Sequence, residues 1–176
     1  MHTAPTRYQP VDPADRPRKE RQGARVLVRC QGRALLVSDR DPGVVGSGWW
    51  VLPGGGIDPG EDVRAAACRE LFEETGHRCD PDDLLGPIAT RSVTHGYSDR
   101  VLVQHETIFA LDVAEAFEVD PAGLTEGELL RLGEFGWFGP DQWRTMTVWP
   151  PLEPLAEADG SSCVDLGEVE ESTVPA

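Results

Sequence analysis

Glu70, Glu73 and Glu74 close a stretch that is built to be helical, with Ala65-Ala66-Ala67 ahead of them and Gly76 behind. At about 100° per residue their side chains fall within an arc of about 100°. Carboxylates stacked this way repel, by a few tenths of a kcal/mol for each close pair. A hard cation such as Mg²⁺ would offset the repulsion, because it prefers carboxylate and water oxygens. Arg69 reaches Glu73 at i,i+4 and can orient it. Just upstream lies Gly54-Gly55-Gly56, a run without Cβ atoms that can turn sharply and approach an ion or ligand closely. Pro59-Gly60 marks a second turn, and Asp58, Glu61 and Asp62 put negative charge where the helix starts. An acidic helix face is ordinarily just solvated. The glycines beside this one, and the spacing of the whole run, point to chemistry instead.

Strands must position this segment. Ala24-Arg25-Val26-Leu27-Val28-Arg29 and Ala34-Leu35-Leu36-Val37, separated by Gln31-Gly32, read as a hairpin. Residues 41–48 read as a loop, and Trp49 to Leu52 as a short strand stopping at Pro53. The helix is expected over roughly Glu61 to Thr75, with Gly76 as a left-handed stop. Val101 to Val113 is the longest strand pattern, Phe135 to Phe138 a last strand, and Pro140 opens a helix. Strands on both sides of a helix indicate an α/β or α+β sandwich. One domain is expected over residues 23–155. A flexible basic segment, 1–22, precedes it, and an acidic, disordered tail, 156–176, follows.

The chain has 176 residues and a net charge of −15, unevenly spread. Up to Arg33 there are 8 basic and 3 acidic residues; from Ala34 onward there are 8 basic and 28 acidic. An acidic body repels nucleic-acid backbones, so duplex nucleic acid is not an expected partner. A phosphate-bearing substrate would need a cation to offset the repulsion. No apolar run approaches the roughly 20 residues of a membrane span. The N-terminus shows no apolar signal region. No membrane partner and a cytoplasmic location are therefore expected. Cys30, Cys68, Cys79 and Cys163 show no C-x-x-C spacing, so neither a zinc knuckle nor a dithiol motif is read, and free thiols are expected.

The run from Gly55 resembles the Nudix hydrolase signature: Gly, five residues, Glu, seven residues, Arg-Glu, a bulky apolar residue, any residue, Glu-Glu, any residue, Gly, and a final apolar residue. Gly55, Glu61, Arg69-Glu70-Leu71, Glu73-Glu74 and Gly76 fill it. His77 departs, standing where the last apolar residue belongs; it is expected to pack and to leave the chemistry intact. The resemblance implies a single-domain α/β/α sandwich around a mixed sheet. It implies a pyrophosphohydrolase that cleaves a phosphoanhydride in a nucleoside diphosphate linked to another group. It implies Mg²⁺ or Mn²⁺ as cofactor and a small nucleotide-type molecule as partner. Glu70, Glu73 and Glu74 then look like metal ligands, with the Gly55 carbonyl as a further oxygen, and Glu61 and Arg69 like the supporting pair. The proton acceptor is Glu70 or a glutamate outside the motif. Of Glu106, Glu126, Glu128 and Glu134, the resemblance favours Glu128 or Glu134, ahead of Trp137. Homodimers are frequent in such a family, so a homodimer is admitted. The alternative is a Nudix-fold module that binds a nucleotide without turnover, against which the intact Arg69-Glu70 and Glu73-Glu74 argue. An isoprenoid diphosphate isomerase shares the fold but finds no support beyond the motif.

The substrate is less legible. The downstream arrays of NADH and ADP-ribose pyrophosphatases and the upstream pattern of coenzyme A pyrophosphatases are absent; Pro87 to His95 reads PIATRSVTH. Tyr97 falls a little late for the tyrosine of some dinucleoside polyphosphate hydrolases. Trp50, Tyr97, Trp137, Phe138 and Trp143 are candidates for stacking a base, Arg91 and Arg100 for gripping phosphates, and His95 and His105 for lining a pocket.

Overall fold

The computed structural model describes residues 8–176. Nine strands form one mixed sheet: β1 (Arg18–Cys30), β2 (Arg33–Asp39), β3 (Trp49–Val51), β4 (Gly54–Gly56), β5 (Leu85–Gly96), β6 (Val101–Asp112), β7 (Phe135–Phe138), β8 (Val148–Trp149) and β9 (Val164–Glu170). Its main path runs β8-β3-β2-β1-β6-β5-β9, with β4 paired to β1 and β7 to β2. The helices are α1 (Val63–Thr75), α2 (Glu126–Arg131) and α3 (Pro140–Trp143).

β1 is the organising strand. It alternates strictly where it is covered on both faces. Ala24, Val26 and Val28 pack with Ala66, Ala67 and Leu71 of α1 and with Phe109 and Leu111 of β6. Leu27 points the other way, toward Ile108, Ala110, Trp143, Leu152 and Leu155. Helical and turn elements thus cover both faces of the sheet, which is the expected sandwich. β1 runs parallel to β6 over its whole length, from Arg18↔Val101 to Arg29↔Asp112. On its other edge it pairs with β2 only at Arg29 and Cys30, then with β4 at Gly23–Arg25. Toward the N-terminus that edge is left open, and a cleft forms there. The hairpin turn at Gln31-Gly32 has positive φ at both residues, 50° and 77°, the geometry that matches strand twist.

Both expected chain boundaries are corrected. Residues 1–7 lie outside the described residues, but the rest of the basic segment is structured. Val11 donates to the Ser98 carbonyl, and β1 already pairs with β6 at Arg18. The acidic tail is a strand: β9 lies parallel to β5, and Glu171 follows it with its side chain on buried Arg91. Backbone pairing and one buried ion pair order this segment, with only a few apolar side chains, Ala156, Ala158 and Leu166, packed on the core, so its composition hid it. β5 was also not foreseen, because Pro87 and the polar Thr90 and Ser92 mask its alternation. The cysteines are free thiols, as expected, and the Cys79 thiol donates to Cys68 Sγ at 2.6 Å, tying the segment after α1 to the helix. No helix among the described residues is long and apolar enough to cross a membrane.

Deleting residues 160–176 should therefore destabilise the protein. It uncovers the β5 edge and takes Glu171 from buried Arg91, leaving it Glu106 alone, and losing one partner of a buried pair costs about 3–5 kcal/mol. The melting temperature should fall by about 10 °C. An unchanged thermal unfolding curve would show that β9 does not pack on β5.

Candidate active site

Helix α1 brings the first carboxylates into place. Asp62 caps its start, accepting from the Arg64 and Ala65 amides, and Gly76 ends it at φ 74° with its amide on the Phe72 carbonyl. The buried stripe of α1 is Ala66, Ala67, Glu70, Leu71, Glu74 and Thr75. Glu70 and Glu74 therefore share the core-facing arc at i,i+4, where the stripe leaves the apolar core and meets the β1–β4 edge. Glu73 falls just outside that arc and is 44% exposed.

Arg69 locks this end of the helix. Its Nε and Nη2 grip both oxygens of Glu61, at 2.8 and 2.9 Å. Nη1 donates to Glu70 at 2.8 Å and to Glu73 at 3.2 Å, and Nη2 also reaches the Gly56 carbonyl at 3.0 Å. All five guanidinium donors are thus used. The bidentate grip holds the Glu61 carboxyl down at about 2. Glu61 and Arg69 thus form a bidentate ion pair at the start of the helix.

The glycine run supplies the opposing wall. Gly54 sits at φ 146°, and a Cβ there would strike the Ala24 carbonyl and Arg25. Its amide donates to Glu74 Oε2 at 3.0 Å. A Cβ on Gly55 would collide with the Glu70 carboxylate. The backbone can come this close to both glutamates only because these residues lack side chains. From the far side, α2 delivers Glu128. Thr125 and Glu128 form a capping box in which the Thr125 amide and hydroxyl both donate to Glu128 Oε2. Oxygens of Glu70, Glu74 and Glu128 lie within 4.8 Å of one another.

Electrostatics make this cluster costly as it stands. Burial pushes the Glu74 carboxyl up to about 8, against the pull of Arg25 and of the Gly54 amide. Burial also raises Glu70, with Arg69 opposing. Three converging carboxylates, two of them buried, form the donor set a hard divalent cation requires, so the residues fit Mg²⁺ or Mn²⁺. The cluster lines a cavity of about 520 Å³ that also includes Lys19, Arg21, Arg25, Trp49, His95, Tyr97, Arg100 and Arg131.

The expected site residues divide. Glu61, Arg69, Glu70, Glu74, Glu128 and Gly55 come together. Glu73 is adjacent but turned onto Arg69, so the third member of the carboxylate cluster is Glu128 instead. Glu134 is corrected: it is exposed in the turn before β7 and does not line the cavity, because that turn is pinned to β2 through its backbone. Glu126 is exposed at the start of α2. Glu106 is fully buried between Arg25 and Arg91, which hold its carboxyl at about 2. That same network takes Arg91 out of the phosphate-gripping role. Arg100 does line the cavity, over the Tyr97 ring at 4.6 Å, with its Nη1 on Asp99. Trp50, Phe138 and Trp143 belong to the core on the opposite face, whereas Tyr97 lines the cavity. Trp137 packs edge-on against Phe117, and His77 stacks on the same ring at 4.0 Å, which answers the motif's one departure. His95 lines the cavity; His105 lies outside it, bonded to Ser92 and Glu20. Sequence reading missed Trp49, Arg21 and Lys19. The alternation of Lys19, Arg21 and Arg25 along β1 was the available signal.

A family model for the NUDIX domain matches residues 19–158. The chain belongs to the Nudix family. A MutT-like protein of Streptomyces ambofaciens is 29% identical over 134 residues, covering 76% of this chain and 73% of that one. An RNA pyrophosphohydrolase of Roseobacter denitrificans is 47% identical over 51 residues, which is 29% of this chain and 30% of the relative. The solved mutator MutT protein of Bacillus halodurans superposes with a TM-score of 0.54 at 18% identity, over 87% of this chain and 91% of that one, a likeness of fold.

The buried Glu106 network predicts a pH dependence for this Nudix protein. A folded value of about 2 against an ordinary 4.5 means the stabilisation is complete above pH 4.5 and fades as pH falls toward 2. Glu106→Gln removes it and leaves Arg25 and Arg91 short of an anion, at about 3–5 kcal/mol. The variant should melt about 10 °C lower at pH 7. Between pH 5 and 3 its melting temperature should change less steeply than that of the parent.

Proposed function

We propose that this Nudix chain hydrolyses a phosphoanhydride bond in a nucleotide-type small molecule, a nucleoside diphosphate carrying a further group, and requires Mg²⁺ or Mn²⁺. The observation that carries this reading is the convergence of Glu70, Glu74 and Glu128 within 4.8 Å at the floor of a cavity rimmed by cations. Glu70 and Glu74 would hold the metal. When bound, the metal would neutralise phosphate charge and sharpen a water nucleophile. Arg69 favours the ionised form of Glu70 against the effect of burial and aims the carboxylate, and Glu61 and Glu73 keep Arg69 in register. The Gly54 amide orients Glu74. Glu128 is the proton acceptor in this reading. Its Oε2 is fixed by Thr125, while Oε1 carries no hydrogen bond among the described residues and is left for the attacking water. The walls of Trp49, Tyr97 and Leu102 offer apolar surface for a base.

A substrate panel with product identification by mass tests the reaction class. In that assay Glu74→Gln should lower turnover about a thousandfold, the equivalent of roughly 4 kcal/mol of lost charge stabilisation. Gln retains the acceptor for Gly54 and removes a buried charge, so the metal-free variant should melt no lower than the parent. Mg²⁺ should raise the parent's melting temperature and scarcely affect that of Glu74→Gln. Glu128→Gln should lower turnover about a hundredfold or more while keeping the Mg²⁺ shift. Exposed Glu134→Gln should change neither. Near-parent turnover in Glu74→Gln would overturn the reading.

A further inference from the structure

Among the cations that line the cavity, Arg21 and Lys19 have no carboxylate partner among the described residues. Arg25 is paired with Glu106, Arg131 with Asp39 and Arg100 with Asp99. Arg21 has no carboxylate partner among the described residues, and residues 1–7 contain no acid that could supply one. Its Nε donates to Gln104 Oε1 at 2.6 Å, and its Nη atoms carry no hydrogen bond among the described residues. The guanidinium lies against Gly56, where an added Cβ would stand 3.0 Å from Nη1. Burial and the neighbouring Arg25 both work against its charge, with Glu70 the nearest compensating anion. A partly buried cation held in this way, beside a carboxylate cluster and facing a cavity, gains one hydrogen bond from a neutral amide and no ion pair among the described residues.

Gln104 explains how it is kept there. It is fully buried, and its amide is oriented at both ends: Oε1 accepts from Arg21 while Nε2 donates to Glu106 Oε1 at 2.6 Å. Glu106 is fixed in turn by Arg25 and Arg91, and Arg91 by Glu171. A chain of buried polar contacts therefore runs from Glu171, just past the last strand, to a guanidinium that has no carboxylate partner among the described residues. Lys19 lies two residues before Arg21 on the same face of β1 and also lines the cavity, without a carboxylate partner among the described residues. At about 3.3 Å per residue it stands about 7 Å farther from the carboxylates. Two cations so spaced mark a path rather than a point, and a chain of phosphates is an anion of that shape.

We propose that Arg21 is a phosphate-binding, specificity-determining residue of this cavity, that Gln104 is its positioning residue, and that with Lys19 it selects nucleotides bearing a chain of three or more phosphates. This rests on the pyrophosphohydrolase reading above and names the substrate class for the same site.

The test uses the full chain with Mg²⁺, a nucleoside triphosphate and a nucleotide sugar. Arg21→Gln should raise KM for the triphosphate about 10- to 100-fold, the worth of one or two charge-assisted hydrogen bonds, with kcat little changed. KM for the nucleotide sugar should move much less. Gln104→Met should shift the triphosphate KM in the same direction, again with kcat held, which a merely structural defect would not do. Arg18→Gln, exposed on the same strand and outside the cavity, matches the charge change and should leave both substrates unaffected. A second arm needs no turnover. Inorganic tripolyphosphate, without metal, should raise the melting temperature of the parent and not that of Arg21→Gln, and Arg21→Gln alone should melt no lower than the parent. The proposal is overturned if Arg21→Gln responds to tripolyphosphate as the parent does, if both substrates lose equally, or if Arg18→Gln has the same effect. Loss of the tripolyphosphate response in a chain that hydrolyses nothing would instead sink the pyrophosphohydrolase reading and leave Arg21 as an anion site.

Discussion

The guanidinium of Arg69 is the interaction on which the site depends. A helix that turns Glu70 and Glu74 into a protein interior meets two penalties, desolvation and mutual repulsion. Arg69 meets part of both by binding Glu70 directly, and Glu61 fixes the guanidinium from outside with a bidentate grip. Because Nη2 also reaches the Gly56 carbonyl, the same side chain ties helix α1 to strand β4. The glycine run and the glutamates are thereby set opposite each other by one residue. Lys at this position has neither the fork nor enough donors for that task.

A second buried cation–anion assembly holds the other side of the cavity. Glu106 has no exposure and is shared by Arg25, Arg91 and Gln104, so each member fixes the others. Buried ion pairs of this kind add little stability relative to well-packed apolar residues, but they are severe when one partner is missing. The assembly is therefore best understood as a positioning device. Arg25 also reaches the Leu52 carbonyl at 2.8 Å, which fixes the strand segment entering the glycine run. The site is consequently built between two charge networks, one on α1 and one on the β1–β6–β5 strands.

What the sequence revealed followed periodicity and local chemistry. Helix α1, its cap at Gly76, the hairpin at Gln31-Gly32 and strands β6 and β7 were all legible, because each is specified by neighbours within a few residues. The carboxylates of α1 were legible as a set, but their division was not. Glu73 lies within the same sequence arc as Glu70 and Glu74, and only the tertiary placement of the helix decides which edge of that arc is buried. Glu128 was one of several glutamates in a polar stretch, and nothing local separates it from Glu126 or Glu134. The tail was misread for a related reason. Its six acids and lack of bases resemble disorder, yet Glu171 has a buried arginine waiting on a strand 80 residues away in sequence.

These differences in how each carboxylate is held carry over to how firmly the site is assembled. Glu70 and Glu74 sit on a 13-residue helix packed by Ala66, Ala67 and Leu71 into the sheet. Glu128 sits on a six-residue helix with no buried residue. Helix α2 is held by its capping box, by Arg131 on Asp39 at 2.6 Å, and by Arg40 on the Leu130 carbonyl. An isolated helix of that length has no stability of its own. Segments with few buried apolar contacts open at low free-energy cost. Helix α2 is therefore the adjustable side of the cluster, and the rigid side is α1 with the glycine run. A cation or substrate bridging the two would order α2 by binding it, so that completion of the site and binding of its contents become one event.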